Sequence, residues 1–248
     1  MIGFNRLYIS ITQQCNLACK HCLRGDAKNV VVDDKIIFNA FENVTFINSL
    51  NLTGGEPLLH PEKLLTVNDA ILKNKTQVLD IAIVTNATLW NAKIKEAVLS
   101  LKISSPRLVL ALSNDGFHKE EIKRLGLKDY TNEIIEFGEK KGIVVKLLEL
   151  RGNQVRIMGR AKNLDFKTLS QLSGESEGYN FKEYKTPQYV DVKQQLTKDN
   201  KFALNAAVNA DGSVGGLYEE WDYYENPENV VFNLKDKSFD EYYTSEQQ

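Results

Sequence analysis

Cysteine is missing from almost the entire chain, because all three cysteines of the 248 residues lie between positions 15 and 22. An odd number of cysteines in one short segment argues against a fold stabilised by disulfides. Clustered free thiols also suggest a reducing cytoplasm. Apolar runs of membrane-spanning length are lacking as well. The N-terminus has no basic head followed by an apolar run, so the sequence predicts neither a membrane span nor a secretory signal.

An excess of charge of one sign is also lacking. The formal net charge is −2, which gives no general reason to expect binding to nucleic acid or lipid. Apolar residues make up 42% of the chain and charged residues 26%, the balance of a soluble globular protein. Internal repeats and low-complexity segments are not evident, and a chain of this length can bury the core of a single α/β barrel.

The three cysteines form one cluster, Cys15, Cys19 and Cys22, with the spacing C-x3-C-x2-C. A disulfide between neighbours in this stretch would be strained. A closed structural zinc site usually needs four ligands, and a fourth cysteine is missing. Three thiolates suit a cubane iron–sulfur cluster whose fourth iron stays open to another ligand. The spacing therefore favours an iron–sulfur site.

Strands and helices alternate five times over roughly the first two-thirds of the chain. Strands are predicted at 7–11, 44–52, 78–84, 107–112 and 143–150, with a short sixth strand at 154–158. Helical periodicity separates the successive strands, and this alternation is typical of a parallel sheet with outer helices. In a β/α barrel, the carboxyl ends of the strands form the rim that carries the active site.

Glycines and polar residues follow the predicted strands on this rim. The segment Thr53-Gly54-Gly55-Glu56-Pro57 follows the second strand, Asn86 follows the third, and Ser113 and Asp115 follow the fourth. Glycine lets a backbone approach its neighbour closely, and a glutamate can accept a hydrogen bond from an ammonium group. Ser113 and Asp115 have an alternative role as caps of the next helix.

Together, the cysteine spacing and the Gly-Gly-Glu segment resemble the two signatures of the radical S-adenosylmethionine (SAM) superfamily. The resemblance covers residues 1 to about 160 and implies an α/β fold, a partial (β/α)6 TIM-like barrel. It implies one [4Fe–4S] cluster held by the three cysteines, with SAM chelating the fourth iron. It also implies that Gly54, Gly55 and Glu56 bind the amino group of SAM.

The same resemblance assigns further cofactor contacts. Asn86, Ser113 and Asp115 are expected to contact the ribose or the carboxylate of SAM. His21 stands where members of the family often have an aromatic residue near the adenine, and an ordinary loop histidine is the alternative.

One arginine and two other histidines complete the candidates. Arg160 belongs to a Gly-Arg-Ala tripeptide that resembles one in peptide-modifying members, and it is expected to meet the SAM carboxylate or an anionic substrate. An exposed arginine without such a role is the alternative. His60 and His118, near the starts of two predicted helices, are interpreted as structural or solvated.

Residues 161–248 are predicted to form a small α+β extension appended to the barrel core of residues 1–160. A strand at 202–208, a hairpin turn at 209–212 and a return strand at 213–217 are its clearest elements. With a terminal aromatic helix, this hairpin resembles the SPASM or Twitch extensions, which normally bind auxiliary clusters through added cysteines. No cysteine remains here, so a degenerate extension without an auxiliary cluster is expected.

The implied function is that of a radical SAM enzyme in a low-oxygen cytoplasm. A donor such as flavodoxin or ferredoxin would supply one electron, SAM would be cleaved at the single cluster, and the 5′-deoxyadenosyl radical would abstract hydrogen from a substrate. A peptide or protein substrate is slightly favoured over a nucleotide or a small metabolite. A non-catalytic iron–sulfur sensor or scaffold and a zinc-stabilised binding module are the alternatives, and the intact Gly-Gly-Glu segment argues against the sensor.

Overall fold

The computed structural model describes residues 2–149, 159–164, 203–215 and 230–245. The first of these ranges holds five strands and five helices, which alternate as the apolar periodicity predicts except that two helices separate the last two strands. The strands are β1 (Ile2–Thr12), β2 (Val44–Gly54), β3 (Gln77–Thr85), β4 (Arg107–Ser113) and β5 (Val144–Leu148). The helices are α1 (Asp34–Phe41), α2 (Pro61–Asn74), α3 (Ala92–Ile103), α4 (Gly116–Leu125) and α5 (Thr131–Lys141).

Local capping fixes where several of these helices begin. The side chain of Asp33 accepts a hydrogen bond from the backbone N–H of Lys35 at the start of α1, and Asn91 accepts one from Ile94 at the start of α3. Asp115 caps α4 in the same way, through the N–H of His118. Asp115 therefore caps the helix, which is the alternative role that the sequence predicts for it.

Eight strands of the described residues form one sheet in the order β5-β4-β3-β2-β1-β6-β7-β8. The last three are β6 (Ala203–Val208), β7 (Ser213–Gly215) and β8 (Phe232–Asn233), followed by α6 (Phe239–Ser245). Strands β1 to β6 are mutually parallel, whereas β7 and β8 are antiparallel additions. The sheet is not closed, so the predicted fold class, a partial six-stranded TIM-like barrel, is confirmed.

The sixth parallel strand comes from the C-terminal part of the chain. The strand expected at 202–208 pairs in parallel with β1, from Gly3 opposite Ala203 to Ile9 opposite Val208, and so continues the barrel sheet. The short strand predicted at 154–158 lies outside the described residues. The proposed boundary between residues 160 and 161 stays a prediction.

Strand β1 lies inside the sheet, between β2 and β6, and leads directly into the cysteine segment. Leu7, Ile9 and Ile11 are fully buried, and each such side chain stabilises the fold by about 1.5–3 kcal/mol. At the carboxyl end of the strand, Thr12 pairs with Gly54 of β2. The sheet register therefore brings the start of the cysteine segment next to the Gly-Gly-Glu segment.

Within the described ranges, every helix is too short or too polar to cross a membrane.

Candidate active site

A cavity of about 510 Å³ opens at the carboxyl end of the parallel strands, on the rim that the sequence predicts. Cys15, Cys19 and Cys22 all line it. Most of the other predicted site residues share its wall, namely His21, Gly54, Gly55, Asn86, Ser113, Asp115 and Arg160. The cavity therefore gathers, in one place, residues from five strand ends and from the segment at 159–164.

Cys19 is the most deeply buried of the three cysteines, and Cys15 and Cys22 are half-buried. Cys19 is 4% exposed, and Leu17, Ile122 and Cys15 pack around it. Burial raises the pKa of Cys15 to about 11. Burial also raises the pKa of Cys19, and the neighbouring Cys15 and Cys22 raise it further. Three thiols that line one cavity fit a metal cluster, and binding one would remove their protons.

The two glycines after β2 allow close packing between the backbones of two loops. The N–H of Gly55 donates to the carbonyl of Thr12 at 2.7 Å, and the N–H of Glu56 donates to the carbonyl of Gln14 at 2.8 Å. A Cβ on Gly54, whose φ is +136°, would lie 2.3 Å from the Thr12 carbonyl oxygen. A Cβ on Gly55 would lie 2.0 Å from the Gln14 carbonyl oxygen. The glycines thus hold the Gly-Gly-Glu segment against the segment that carries Cys15.

The carboxylate of Glu56 lies behind the cavity wall and is fully buried. It accepts hydrogen bonds from the hydroxyl of Thr85 at 2.8 Å and from the backbone N–H groups of Leu58 at 3.0 Å and Asn86 at 2.7 Å. Burial raises the pKa of Glu56 to about 7, against the lowering effect of these donors. Its carboxylate therefore joins the turn after β3 to the segment after β2, while the contact with the SAM ammonium stays a prediction.

Replacing Thr85 with valine tests this buried connection. The hydroxyl donates to Glu56 and accepts the N–H of Ala87 at 3.2 Å, so valine leaves a buried N–H without that partner. We expect the free energy of unfolding to fall by about 1–2 kcal/mol, measured by urea denaturation. The control is Thr45→Val at an exposed position of β2, where we expect a change within about 0.5 kcal/mol. Equal stability of the two variants would contradict the role of the Thr85 hydroxyl in this buried hydrogen-bond network.

Asn86, after β3, contacts the cysteine segment directly. Its side-chain N–H donates to the Asn16 side-chain oxygen at 2.9 Å and lies 3.9 Å from the Cys15 sulfur. Its oxygen accepts from the N–H and the hydroxyl of Thr88. Asn86 therefore helps to fix the position of Cys15, besides any contact with a ligand.

A histidine pair shares one carboxylate at the start of α4. Asp115 Oδ2 lies 2.8 Å from His118 Nδ1 and 3.4 Å from His21 Nε2. Burial opposes ionisation, but the hydrogen bonds to His118 and His21 outweigh it and hold the pKa of Asp115 below its ordinary value. The His21 ring also stacks on Phe117, with the ring centroids 4.5 Å apart. His21 is therefore a fixed part of the cavity wall.

His118 is the site residue that sequence reasoning missed. It lines the cavity beside Asp115, whereas its pattern favours a structural or solvated histidine. The sequence does hold one indication of this position: His118 follows Asp115 by three residues, and residues with this spacing at a helix start lie on the same face of the helix. His60 instead contacts Glu62 at 3.0 Å and Gln14 at 2.8 Å.

Arg160 holds the cysteine segment from its other end. Its Nε donates to the carbonyl of Cys19 at 2.9 Å, and its backbone N–H donates to the carbonyl of Cys22 at 3.0 Å. A Cβ on the preceding Gly159 would lie 2.5 Å from the Leu23 carbonyl oxygen, so glycine permits this approach. The guanidinium also faces Asp26 at 3.3 Å.

A partial barrel whose strand-end cavity is lined by three thiols is suited to holding an iron–sulfur cluster. The sequence model of the Radical SAM superfamily matches residues 9–143, which is more than half of the chain. The chain belongs to this superfamily, and it is a radical SAM enzyme. Membership implies SAM and an iron–sulfur cluster as cofactors.

Several characterised or named proteins are similar in sequence. The chain is 26% identical over 245 residues to the GTP 3′,8-cyclase of Nautilia profundicola, covering 85% of this chain and 71% of that protein. It is 27% identical over 143 residues to the S-adenosylmethionine-dependent nucleotide dehydratase of Selenomonas ruminantium, covering 56% and 49%. An uncharacterised protein of Methanocaldococcus jannaschii is 32% identical over 126 residues, covering 49% and 42%. The chain thus spans less than half of two of these relatives.

Solved structures show the same fold. The structure titled native anSMEcpe with bound AdoMet superposes with a TM-score of 0.56 at 18% identity, covering 95% of this chain and 79% of the other. The same protein with AdoMet and the Cp18Cys peptide gives a TM-score of 0.55 at 17% identity, covering 97% and 80%. At this identity the similarity concerns the fold alone.

Proposed function

We propose that this chain binds one [4Fe–4S] cluster through Cys15, Cys19 and Cys22 and cleaves SAM reductively in the adjoining cavity. The observation that carries the proposal is the direct hydrogen bonding between the Gly-Gly-Glu segment and the cysteine segment. Because Gly55 and Glu56 donate to carbonyls just before Cys15, a ligand held at the glycines lies beside the thiols. When bound, the cluster supplies the electron that breaks a carbon–sulfur bond of SAM.

Some residues of the cavity bind SAM in this proposal, and others position the residues that do. Backbone at Gly54 and Gly55 faces the amino-acid end of SAM, and Ser113 and Asp115 meet its ribose or carboxylate. Glu56 acts from behind the wall, where it fixes the turn that carries Asn86. His21, whose ring is held in place by stacking on Phe117, packs against the adenine in this proposal. Arg160 positions the cysteine segment by donating hydrogen bonds to its carbonyls. This role differs from the contact with an anion that the sequence predicts.

The substrate that we propose is an anionic small molecule of the nucleotide type. Arg24, which also donates to the Ser10 hydroxyl at 3.2 Å, and Lys28 lie in the segment after Cys22 and line the cavity, where their charges attract phosphate groups. The relatives with assigned activities are named as enzymes acting on GTP or on a nucleotide. A peptide or protein, which the C-terminal extension slightly favours, is the second candidate, and most of that extension lies outside the described residues.

Anaerobic reconstitution followed by addition of dithionite and SAM tests the function. We expect about four irons per chain and release of 5′-deoxyadenosine, measured by chromatography with mass detection. Reduced flavodoxin or ferredoxin should replace dithionite as the donor. A cluster-loaded protein that forms no 5′-deoxyadenosine would favour the iron–sulfur sensor or scaffold instead.

Substrate class can be tested in the same assay. Ribonucleoside triphosphates should increase 5′-deoxyadenosine formation at least tenfold over SAM alone, and deuterium from a labelled nucleotide should enter the product. Changing Arg24 to glutamine should weaken this stimulation and leave the slow cleavage of SAM alone in place. Stimulation by peptides and not by nucleotides would contradict the nucleotide proposal while leaving SAM cleavage intact.

A further inference from the structure

Cys19, His21 and His118 form a second possible metal site within the cavity wall. One potential ligand atom from each residue lies within 4.8 Å of the other two. In a tetrahedral zinc site with bonds of about 2.0–2.3 Å, ligand atoms are about 3.4 Å apart. The three side chains therefore lie near the spacing of a zinc site, and a small rearrangement would bring them around one ion.

The unpartnered nitrogen of His21 points to a ligand at this place. His21 is 5% exposed, and its Nδ1 is buried without a hydrogen-bond partner among the described residues. A buried polar atom without a partner costs about 1–3 kcal/mol, so such atoms usually mark a missing ligand or water. The stacked Phe117 ring keeps the imidazole in this position.

Asp115 prepares both histidines for metal binding. Its Oδ2 contacts Nε2 of His21 and Nδ1 of His118, which leaves Nδ1 of His21 and Nε2 of His118 as the nitrogens with available lone pairs. Metal-bound histidines commonly donate their other N–H to a carboxylate in this way. One carboxylate here serves two rings, and both rings lie beside the Cys19 sulfur.

We propose that Cys19, His21 and His118 bind one zinc ion when the iron–sulfur cluster is absent. Imidazole and thiolate are usual zinc ligands, and all three residues line the cavity, from which a water can supply the fourth ligand. Zinc and the proposed cluster both need Cys19, so their binding is mutually exclusive. The competition between zinc and the cluster rests on the proposed function, because it requires Cys19 to be a cluster ligand. The zinc binding itself does not depend on that function.

Metal titration of the full chain, purified anaerobically with chelator and then freed of it, tests the proposal. The probes are Zn²⁺ and Co²⁺, since Co²⁺ occupies zinc sites and its absorption reports thiolate coordination. The chain and Cys15→Ser should each bind one ion. His118→Ala should bind Co²⁺ at least tenfold more weakly, and Asp115→Asn should weaken binding about 10–100-fold. The matched control is His60→Ala, a histidine outside this group, which should bind as the unchanged chain does.

Cluster loading separates loss of this site from misfolding. His118→Ala retains all three cysteines and should still take up about four irons, whereas Cys15→Ser should not. Zinc added before reconstitution should block iron uptake by the unchanged chain and not by His118→Ala. Loss of Co²⁺ binding in Cys15→Ser would overturn the proposal, because the ion would then be held by three thiolates. Equal Co²⁺ affinity of His118→Ala and the unchanged chain would overturn it too.

Discussion

Replacing Cys19 with alanine should abolish cluster binding and leave the barrel folded. Cys19 is the central member of the three thiols, and two thiolates cannot hold a cubane cluster in the proposed way. The residue packs in a small apolar group that is separate from the main core, so its loss should lower the free energy of unfolding by only about 1 kcal/mol. We expect iron content near background after reconstitution and no 5′-deoxyadenosine above background.

Leu17→Ala provides the matched control for Cys19→Ala. Leu17 is 3% exposed in the same apolar group, and its truncation removes more packing than the loss of one sulfur atom. It keeps all three thiols and should therefore still bind about four irons per chain. Full iron content in Cys19→Ala would refute the ligand assignment. Loss of iron in both variants would show that packing, and not the Cys19 sulfur, controls cluster binding.

The parallel sheet could be predicted because buried strands leave a local pattern in the sequence. Runs such as Leu7 to Ile11 alternate, are rich in β-branched residues and stand between helical periods. The strand at Ala203–Val208 is a short, mostly apolar run followed by an Asp-Gly turn, and its existence was therefore predictable. Its parallel pairing with β1 depends on contacts between residues about 200 positions apart, which periodicity does not encode.

Site residues could be predicted where their spacing along the sequence is itself typical of a function. The cysteine spacing and the Gly-Gly-Glu segment are of this kind, and both meet at the cavity through backbone hydrogen bonds. The connection from Glu56 to the Asn86 turn depends on which strand ends are neighbours, and it appears only in the folded chain. His118 was missed because its place in the wall depends on the carboxylate that it shares with His21.

Replacing Gly55 with alanine should strongly weaken SAM binding by separating the two signature segments. Gly55 has no left-handed φ, so alanine causes no backbone strain there. Its Cβ would nevertheless lie 2.0 Å from the Gln14 carbonyl oxygen and 3.1 Å from the Cys15 Cβ. One backbone must move, and the hydrogen bond from Glu56 to Gln14 would break. We expect the free energy of unfolding to fall by about 2–3 kcal/mol and SAM affinity of the cluster-loaded chain to fall at least about 100-fold.

Gly126→Ala separates this steric effect from the general consequences of losing a glycine. Gly126 has a φ of +63° and open space around the position of a Cβ, so alanine adds strain of about 1 kcal/mol without overlap. SAM affinity, measured by calorimetry on the cluster-loaded protein, should stay unchanged in this variant. Wild-type affinity and stability in Gly55→Ala would show that the two segments tolerate separation. Their close backbone contact would then not be what places SAM beside the thiols.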